Sequence, residues 1–300
     1  MFHHFHGGRH PRTQGSVSEH DFERILNYIG IARFLSPDTW LAKLQDNTLQ
    51  ESDLCLTFDD GLLCQKEVAL PILERYRLKA FWFVYSSVFE GQLENLEIYR
   101  FFRTQYFKTI HDFYSLFFKR VGVSLSPYAH EVETIRRQFP FYTEKDTQFR
   151  LLRDKILGKK NYEEIMDALL QEYDCEKSSL AKDLWMSNED LKFLSQKDHQ
   201  IGLHSYSHPT MLSYLSDEEQ FEEYDKNYRH LKRVCGSSPV AMSHPCNSYD
   251  EATLGILEKL GIQCGFRSNM FARNQGGSLH SSVFEFPRED HANILLTMEL

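Results

Sequence analysis

Leu54-Cys55-Leu56-Thr57-Phe58-Asp59-Asp60-Gly61 is the stretch from which the fold can be read. An apolar run with β-branched and aromatic members predicts a buried strand. The run stops on two adjacent carboxylates and a glycine that permits a tight turn. The acids then stand just past the C-terminal end of a core strand, where parallel α/β folds build their sites. Two neighbouring carboxylates at such a mouth repel each other and require a cation or a shared proton. Taken alone, the octet reads equally as a polar strand-to-loop turn with two solvated acids, because Asp-Gly is a common turn signal.

Downstream, residues 64–77 predict a helix with Val68, Leu70, Ile72 and Leu73 at its apolar positions. Ala80-Phe81-Trp82-Phe83-Val84-Tyr85 comes next as a second buried strand. Strand, helix, strand is a βαβ unit, with a right-handed crossover. Upstream, residues 1–5 are aromatic and β-prone and predict a first strand ending in histidines. Residues 16–18 cap a helix reaching about residue 31, with a stripe of Phe22, Ile25, Leu26 and Ile29. Ser36 caps a second helix, with Pro37 in its first turn.

The rhythm breaks over about 90–182, which is helical in character and rich in aromatics such as Tyr99, Phe102, Phe113 and Phe117. This reads as a helical insertion within one domain of residues 1–300, its aromatics forming its own small core or a hydrophobic groove. Ser187 then caps another helix. Strands at 201–203, 239–242, 262–266 and 283–286 come after it, with helices at 216–233 and 250–260 between them. Alternation of this kind means a parallel α/β architecture.

Composition limits the function classes. A chain of 300 residues with 41% hydrophobic content can bury a large core. Its net charge of -9 and pI of about 5.9 argue against nucleic acid as a partner. No apolar run approaches the roughly 20 residues of a membrane span, so no transmembrane segment is expected. The first ten residues lack the basic start and apolar region of an export signal. Six cysteines without CxxC pairing read as reduced thiols in a cytoplasmic protein. There is no phosphate-cradling glycine motif. The oligomeric state is not legible.

Two strand ends carry complementary groups: Asp59 and Asp60 on one, His204 and His208 on the other. Histidines four apart share one face of a turn or helix and can bind one cation. A carboxylate with two imidazoles leaves coordination positions for water and substrate, as a catalytic metal site does. Such an ion acidifies water and polarises a carbonyl, and the second aspartate can take the proton. A lone His-x-x-x-His is also a common pattern on solvated helices.

Thr57-Phe58-Asp59-Asp60-Gly61 resembles the first motif of the polysaccharide deacetylase family (NodB homology, carbohydrate esterase family 4), which includes chitin-oligosaccharide and peptidoglycan deacetylases. His204-Ser205-Tyr206-Ser207-His208-Pro209 is similar to its second motif. Residues from Ser243-His244-Pro245 to Arg267-Ser268 resemble the third motif with the helix and strand after it. The resemblance covers residues 50–90 and 185–290, omits the insertion, and touches the N-terminus only loosely. It implies a distorted (β/α) barrel of about seven strands. It also implies a divalent metal (zinc first, with cobalt, iron or nickel as alternatives) and hydrolysis of an N-acetyl group from an amino sugar or glycan, in glycan or surface-polysaccharide biosynthesis. Carried over, Asp60, His204 and His208 bind the metal and Asp59 is the general base. A backbone N–H near Cys246 helps to hold the oxyanion.

The departures are specific. The arginine that the third motif places before its proline is replaced by Ser243 and His244, and Cys246-Asn247 stand where Tyr-Gly is usual. Arg288 is the substitute for that arginine, the alternative being a surface salt-bridge residue. The late Leu-x-His motif that supplies the general acid is missing from Ile294-Leu295-Leu296-Thr297-Met298. His291, His244, or one of His3, His4 and His6 is left to replace it. A deformylase or cyclic-amide hydrolase, and an inactive glycan-binding relative, remain as alternatives.

Overall fold

Among the described residues of this computed structural model, 1–270 and 282–299, seven strands occur in chain order. They are β1 (Phe5–His6), β2 (Val17–Ser18), β3 (Leu56–Asp59), β4 (Ala80–Val84), β5 (Gln200–Leu203), β6 (Ala241–Ser243) and β7 (Cys264–Phe266). β3 to β7 form one parallel sheet in the order β3-β4-β5-β6-β7. Strands adjacent in the chain are adjacent in space, as right-handed crossovers produce.

Single parallel bridges extend both edges: Phe2 pairs with Phe58 and Phe286 with Phe266. The Met1 amino nitrogen donates to the Glu289 carbonyl at 2.6 Å, and the His291 N–H donates to the Met1 carbonyl at 3.4 Å. Seven parallel segments therefore curl toward closure, giving a distorted barrel. The 283–286 strand read from the sequence is reduced to that one bridge. The part of the family resemblance over 271–281 lies outside the described residues.

Side-chain alternation along the strands places the chemistry. Phe58 and Trp82 stack at 4.4 Å in the larger core, with Leu56, Val84, Leu203 and Met242. Phe81, Phe83, Cys264 and Phe266 turn to the other face, against Trp40. Asp59 is paired in register with Phe83 and shares its face. Gly202, the next partner of Phe83, leaves room there: a Cβ would lie 2.6 Å from the Ala241 carbonyl oxygen and 2.7 Å from the Phe83 ring.

The helices start where their caps stand. Ser18, Ser36, Ser187, Ser216 and Asp250 each accept an N–H of the first turn. The predicted helix over 64–77 is corrected in its first half. Gln65–Ala69 is a π turn and the α-helix begins at Leu70–Tyr76. Pro71 has no N–H and its ring crowds the carbonyl four residues back, so a widened turn precedes it.

Leu93–Leu184 is a compact unit of its own. Its helices include Asn95–Gln105, Ile110–Val121, Glu144–Leu151 and Gly158–Glu172. Tyr99, Phe102, Phe113, Tyr114, Phe117, Phe149 and Tyr162 are buried inside it. Arg103 is buried with them, its guanidinium 4.7 Å from the Phe149 ring, a cation–π contact.

His199, at the start of β5, is buried as an acceptor. Its Nδ1 takes the Ala80 N–H at 3.1 Å and the Trp82 Nε1–H at 3.2 Å. Burial first, then Lys79, lower its pKa from 6.5 to about 4. Between those values the unfolded chain binds a proton that the folded chain does not, so stability rises with pH across that window. The expected slope from this group is about 1.4 kcal/mol per pH unit. Urea unfolding at pH 4.5, 5.5 and 6.5 measures it, and a His199→Gln variant with the same slope would refute the assignment.

Candidate active site

The site forms where β3, β5 and β6 end. Asp59 closes β3, and Asp60 comes next in a left-handed conformation (φ 80), its N–H donating to the Phe83 carbonyl at 2.9 Å. Gly61 also has positive φ (65), and a Cβ there would meet Val84 at 3.0 Å. This turn bends the chain away and leaves both carboxylates at the strand mouth, buried at 2% and 4% exposure.

The two acids have different surroundings. Asp59 is gripped by Arg288 in a bidentate pair, Nη1 to Oδ1 and Nη2 to Oδ2, both 2.7 Å. Ser243 donates to Asp59 Oδ2 at 3.2 Å, and His3 Nε2 lies 3.6 Å from the same oxygen. Arg288 also donates to Thr57 Oγ1, Ser243 Oγ and the Arg267 carbonyl, so its five N–H groups are matched by five bonds. Burial pushes the Asp59 pKa up, but Arg288, His204 and His3 together outweigh it, Arg288 most, and bring it from 3.8 to about 2.

Asp60 faces two imidazoles. Its Oδ1 lies 3.5 Å from His204 Nε2 and 3.6 Å from His208 Nε2. That oxygen is buried and has no hydrogen-bond partner among the described residues. Burial raises the Asp60 pKa, but the close imidazoles of His204 and His208 hold it well below the usual carboxylate range. His204 Nδ1 donates to the Ser243 carbonyl at 2.8 Å, which fixes the tautomer and turns the Nε2 lone pair toward Asp60. Burial lowers the His204 pKa while Asp60 and Asp59 raise it by more, for a net rise.

The two histidines face each other through a turn, not a helix. Ser205 and His208 both have positive φ (63 and 54), and the His208 N–H donates to Ser205 Oγ at 3.1 Å. One donor atom from each of Asp60, His204 and His208 lies within 4.8 Å of the others. An orphaned buried carboxylate oxygen against two imidazole nitrogens, one with its tautomer set, fits a divalent metal.

Cys246 stands on the loop after β6, exposed, at φ 48. Two histidines considered for the proton donor are held elsewhere. His244 donates from Nε2 to the Phe284 carbonyl at 2.8 Å and stacks on Tyr249 at 3.9 Å, and burial brings its pKa down to about 3. His291 donates to the Gly15 carbonyl at 2.9 Å, and burial lowers its pKa too. Neither is built to carry a proton at neutral pH. His6 bonds Ser16 Oγ at 2.9 Å. His3 is the N-terminal histidine that reaches Asp59.

Three supports were not visible in the sequence. Gln65 Nε2 donates to the carbonyls of His3 (2.7 Å) and Asp59 (2.5 Å), tying the first segment to β3. Glu223 and Asn227 hold the histidine turn from the helix Asp217–Cys235. Their only signal was polarity on a helix face that otherwise turns inward.

Residues 154–265 match the family model described as Polysaccharide deacetylase, a stretch that includes His204, His208 and Cys246 but not Asp59, Asp60 or Arg288. No curated protein matches the sequence. The chain is similar in fold to the deacetylase PplD of Streptococcus pyogenes solved in complex with acetate (17% identity, TM-score 0.55, covering 100% of this chain and 96% of that one). It is similar also to IcaB of Ammonifex degensii (15%, TM-score 0.53, 95% and 87%) and to a de-N-acetylase of Aggregatibacter actinomycetemcomitans (11%, TM-score 0.56, 97% and 93%). At these identities the likeness establishes the fold alone. The chain thus has the fold of these structures, and its residues 154–265 are similar to the polysaccharide deacetylase family.

Proposed function

We propose that this chain is a metal-dependent hydrolase that removes the acetyl group from the nitrogen of an N-acetylated amino sugar within a glycan. The observation that carries the reading is the orphaned Oδ1 of Asp60 between two imidazole nitrogens. Asp60, His204 and His208 would hold the ion, Zn2+ best suiting an N2O donor set. A divalent cation there supplies Lewis acidity, lowering the pKa of water and polarising an amide carbonyl.

Asp59, kept ionised by Arg288, takes the proton of the attacking water. The backbone N–H at Cys246 donates to the oxyanion, on a loop closed by Asn247 N–H to His244 O (3.2 Å) and Ser248 N–H to Pro245 O (2.9 Å). His3, at 28% side-chain exposure, gives a proton to the departing amine. Water and amide become acetate and a free amine. Asp59 with its five-bonded arginine favours an active enzyme over a binding relic, which has no chemical use for a base. The deacetylase and the de-N-acetylase among the similar structures favour acetyl over formyl or cyclic-amide substrates. Six cysteines outside any disulfide suit a reducing compartment such as the cytoplasm.

The test pairs elemental analysis with acetate release from oligomers of N-acetylglucosamine. The parent is expected to hold about one metal per chain, and Asp60→Ala and His204→Ala to lose both metal and turnover. Variants that keep the metal would refute the ligand set. A metal-loaded parent that releases no acetate from any N-acetylated glycan would refute the reaction.

A further inference from the structure

The helix Asp217–Cys235 turns an unusually polar side inward. Gln220, Asn227 and His230 are buried, and Glu223 is half-buried beside them, each spaced three or four residues from the next. Side chains at that spacing share one helical face. Gln220 accepts Thr253 Oγ1–H at 2.5 Å, and His230 Nε2 meets Asn188 Oδ1 at 2.9 Å. The two central residues grip the histidine turn.

Asn227 acts at the end of the β4–β5 ladder. The last registered pair of those strands is Val84 with Leu203. Beyond it, Asn227 Oδ1 accepts the His204 N–H at 3.0 Å and Asn227 Nδ2 donates to the Val84 carbonyl at 2.9 Å. One side-chain amide thus replaces the next rung and holds the strands apart where His204 departs. The amide alone offers both an acceptor and a donor in that plane.

Glu223 acts on the other side of the turn. Its Oε2 accepts the N–H groups of Tyr206 (3.0 Å) and Ser207 (2.8 Å), and its Oε1 accepts Ser207 Oγ–H at 2.7 Å. From the end of β4, the N–H groups of Ser86 and Ser87 donate to the Tyr206 carbonyl at 3.1 and 2.9 Å. The segment between the histidines is therefore bonded on both sides.

We propose that Glu223 and Asn227 are the positioning residues of the metal centre. They hold a turn with two left-handed residues in the one shape that brings both Nε2 atoms to Asp60. A turn with positive φ at Ser205 and His208 is strained for these residues, and the helix bonds keep it from relaxing. The inference rests on the metal reading above and adds to it residues that touch neither metal nor substrate.

The test uses the full chain stripped of metal and titrated with Co2+, monitored by visible absorption. Glu223→Gln and Asn227→Asp are expected to bind Co2+ about 10–100-fold more weakly, with an altered absorption band. Lys226→Gln, on the exposed side of the same helix and paired with Glu222, should bind as the parent does. Melting of the metal-free proteins separates positioning from plain destabilisation. Folded Glu223→Gln with the parent's Co2+ affinity and spectrum overturns the proposal, whatever the fate of Asn227→Asp. A parent that takes up no Co2+ brings down the metal reading and this inference together. Parent binding matched by both variants brings down this inference alone.

Discussion

Asp59→Asn is expected to slow acetate release by about 10²–10⁴-fold, the usual contribution of a general base, while the metal stays bound. The amide keeps the side chain's shape but cannot take a proton from water. Arg288 then faces a neutral group, so some stability is lost as well. The loss should fall on kcat with KM little changed, because Asp59 acts on the water and not on the sugar. His3→Gln is the companion variant. It should slow acetate release while the metal stays bound, because the departing amine loses its proton donor. Near-parental turnover by Asp59→Asn would remove Asp59 from the mechanism.

Arg288→Met carries the second large effect, on stability and on pH together. Both partners of the Asp59 pair are buried, at 2% and 5% exposure. Removing one partner of such a pair costs about 3–5 kcal/mol, because an uncompensated charge stays behind. In the parent, the Asp59 pKa is depressed from 3.8 to about 2. Its contribution to stability is therefore present above pH 3.8 and lost as pH falls through about 2. Without Arg288 the burial that pushes Asp59 up acts unopposed by its main charge partner. The base then protonates at higher pH, and the acidic limb of kcat/KM moves upward. Arg288→Lys keeps the charge but not the fork, and should recover stability better than rate. An Arg288→Met protein with the parent's melting temperature and acidic limb would show that the pair is incidental.

Much of the frame was legible because local signals and global packing agreed. Ser18, Ser36 and Ser187 read as caps, and they cap. The runs 54–58 and 80–84 are largely apolar because both faces of a parallel sheet are covered. Asp60, His204 and His208 were legible as a group because they stand just past strand ends, and parallel strands deliver their ends to one place. The π turn before Pro71 was missed because periodicity cannot distinguish a widened turn from an ordinary one. The 283–286 segment was read as a strand from its composition, yet only Phe286 pairs. His244 and His291 resembled acid candidates until burial and their carbonyl partners showed neutral rings. Glu223 and Asn227 were illegible in principle, since their role depends on which loop lies beneath their helix.

The grip of Arg288 on Asp59 spans 229 positions of chain. During synthesis at roughly 5–20 residues per second, Asp59 emerges tens of seconds before its guanidinium does. Until then the end of β3 carries a carboxylate without its main charge partner, so that strand mouth stays open to water while the intervening helices fold. Contacts this distant in the chain form late. A nascent chain arrested before Arg288 should therefore have its helices and no competent base, and activity should arise in a final, separate step of folding.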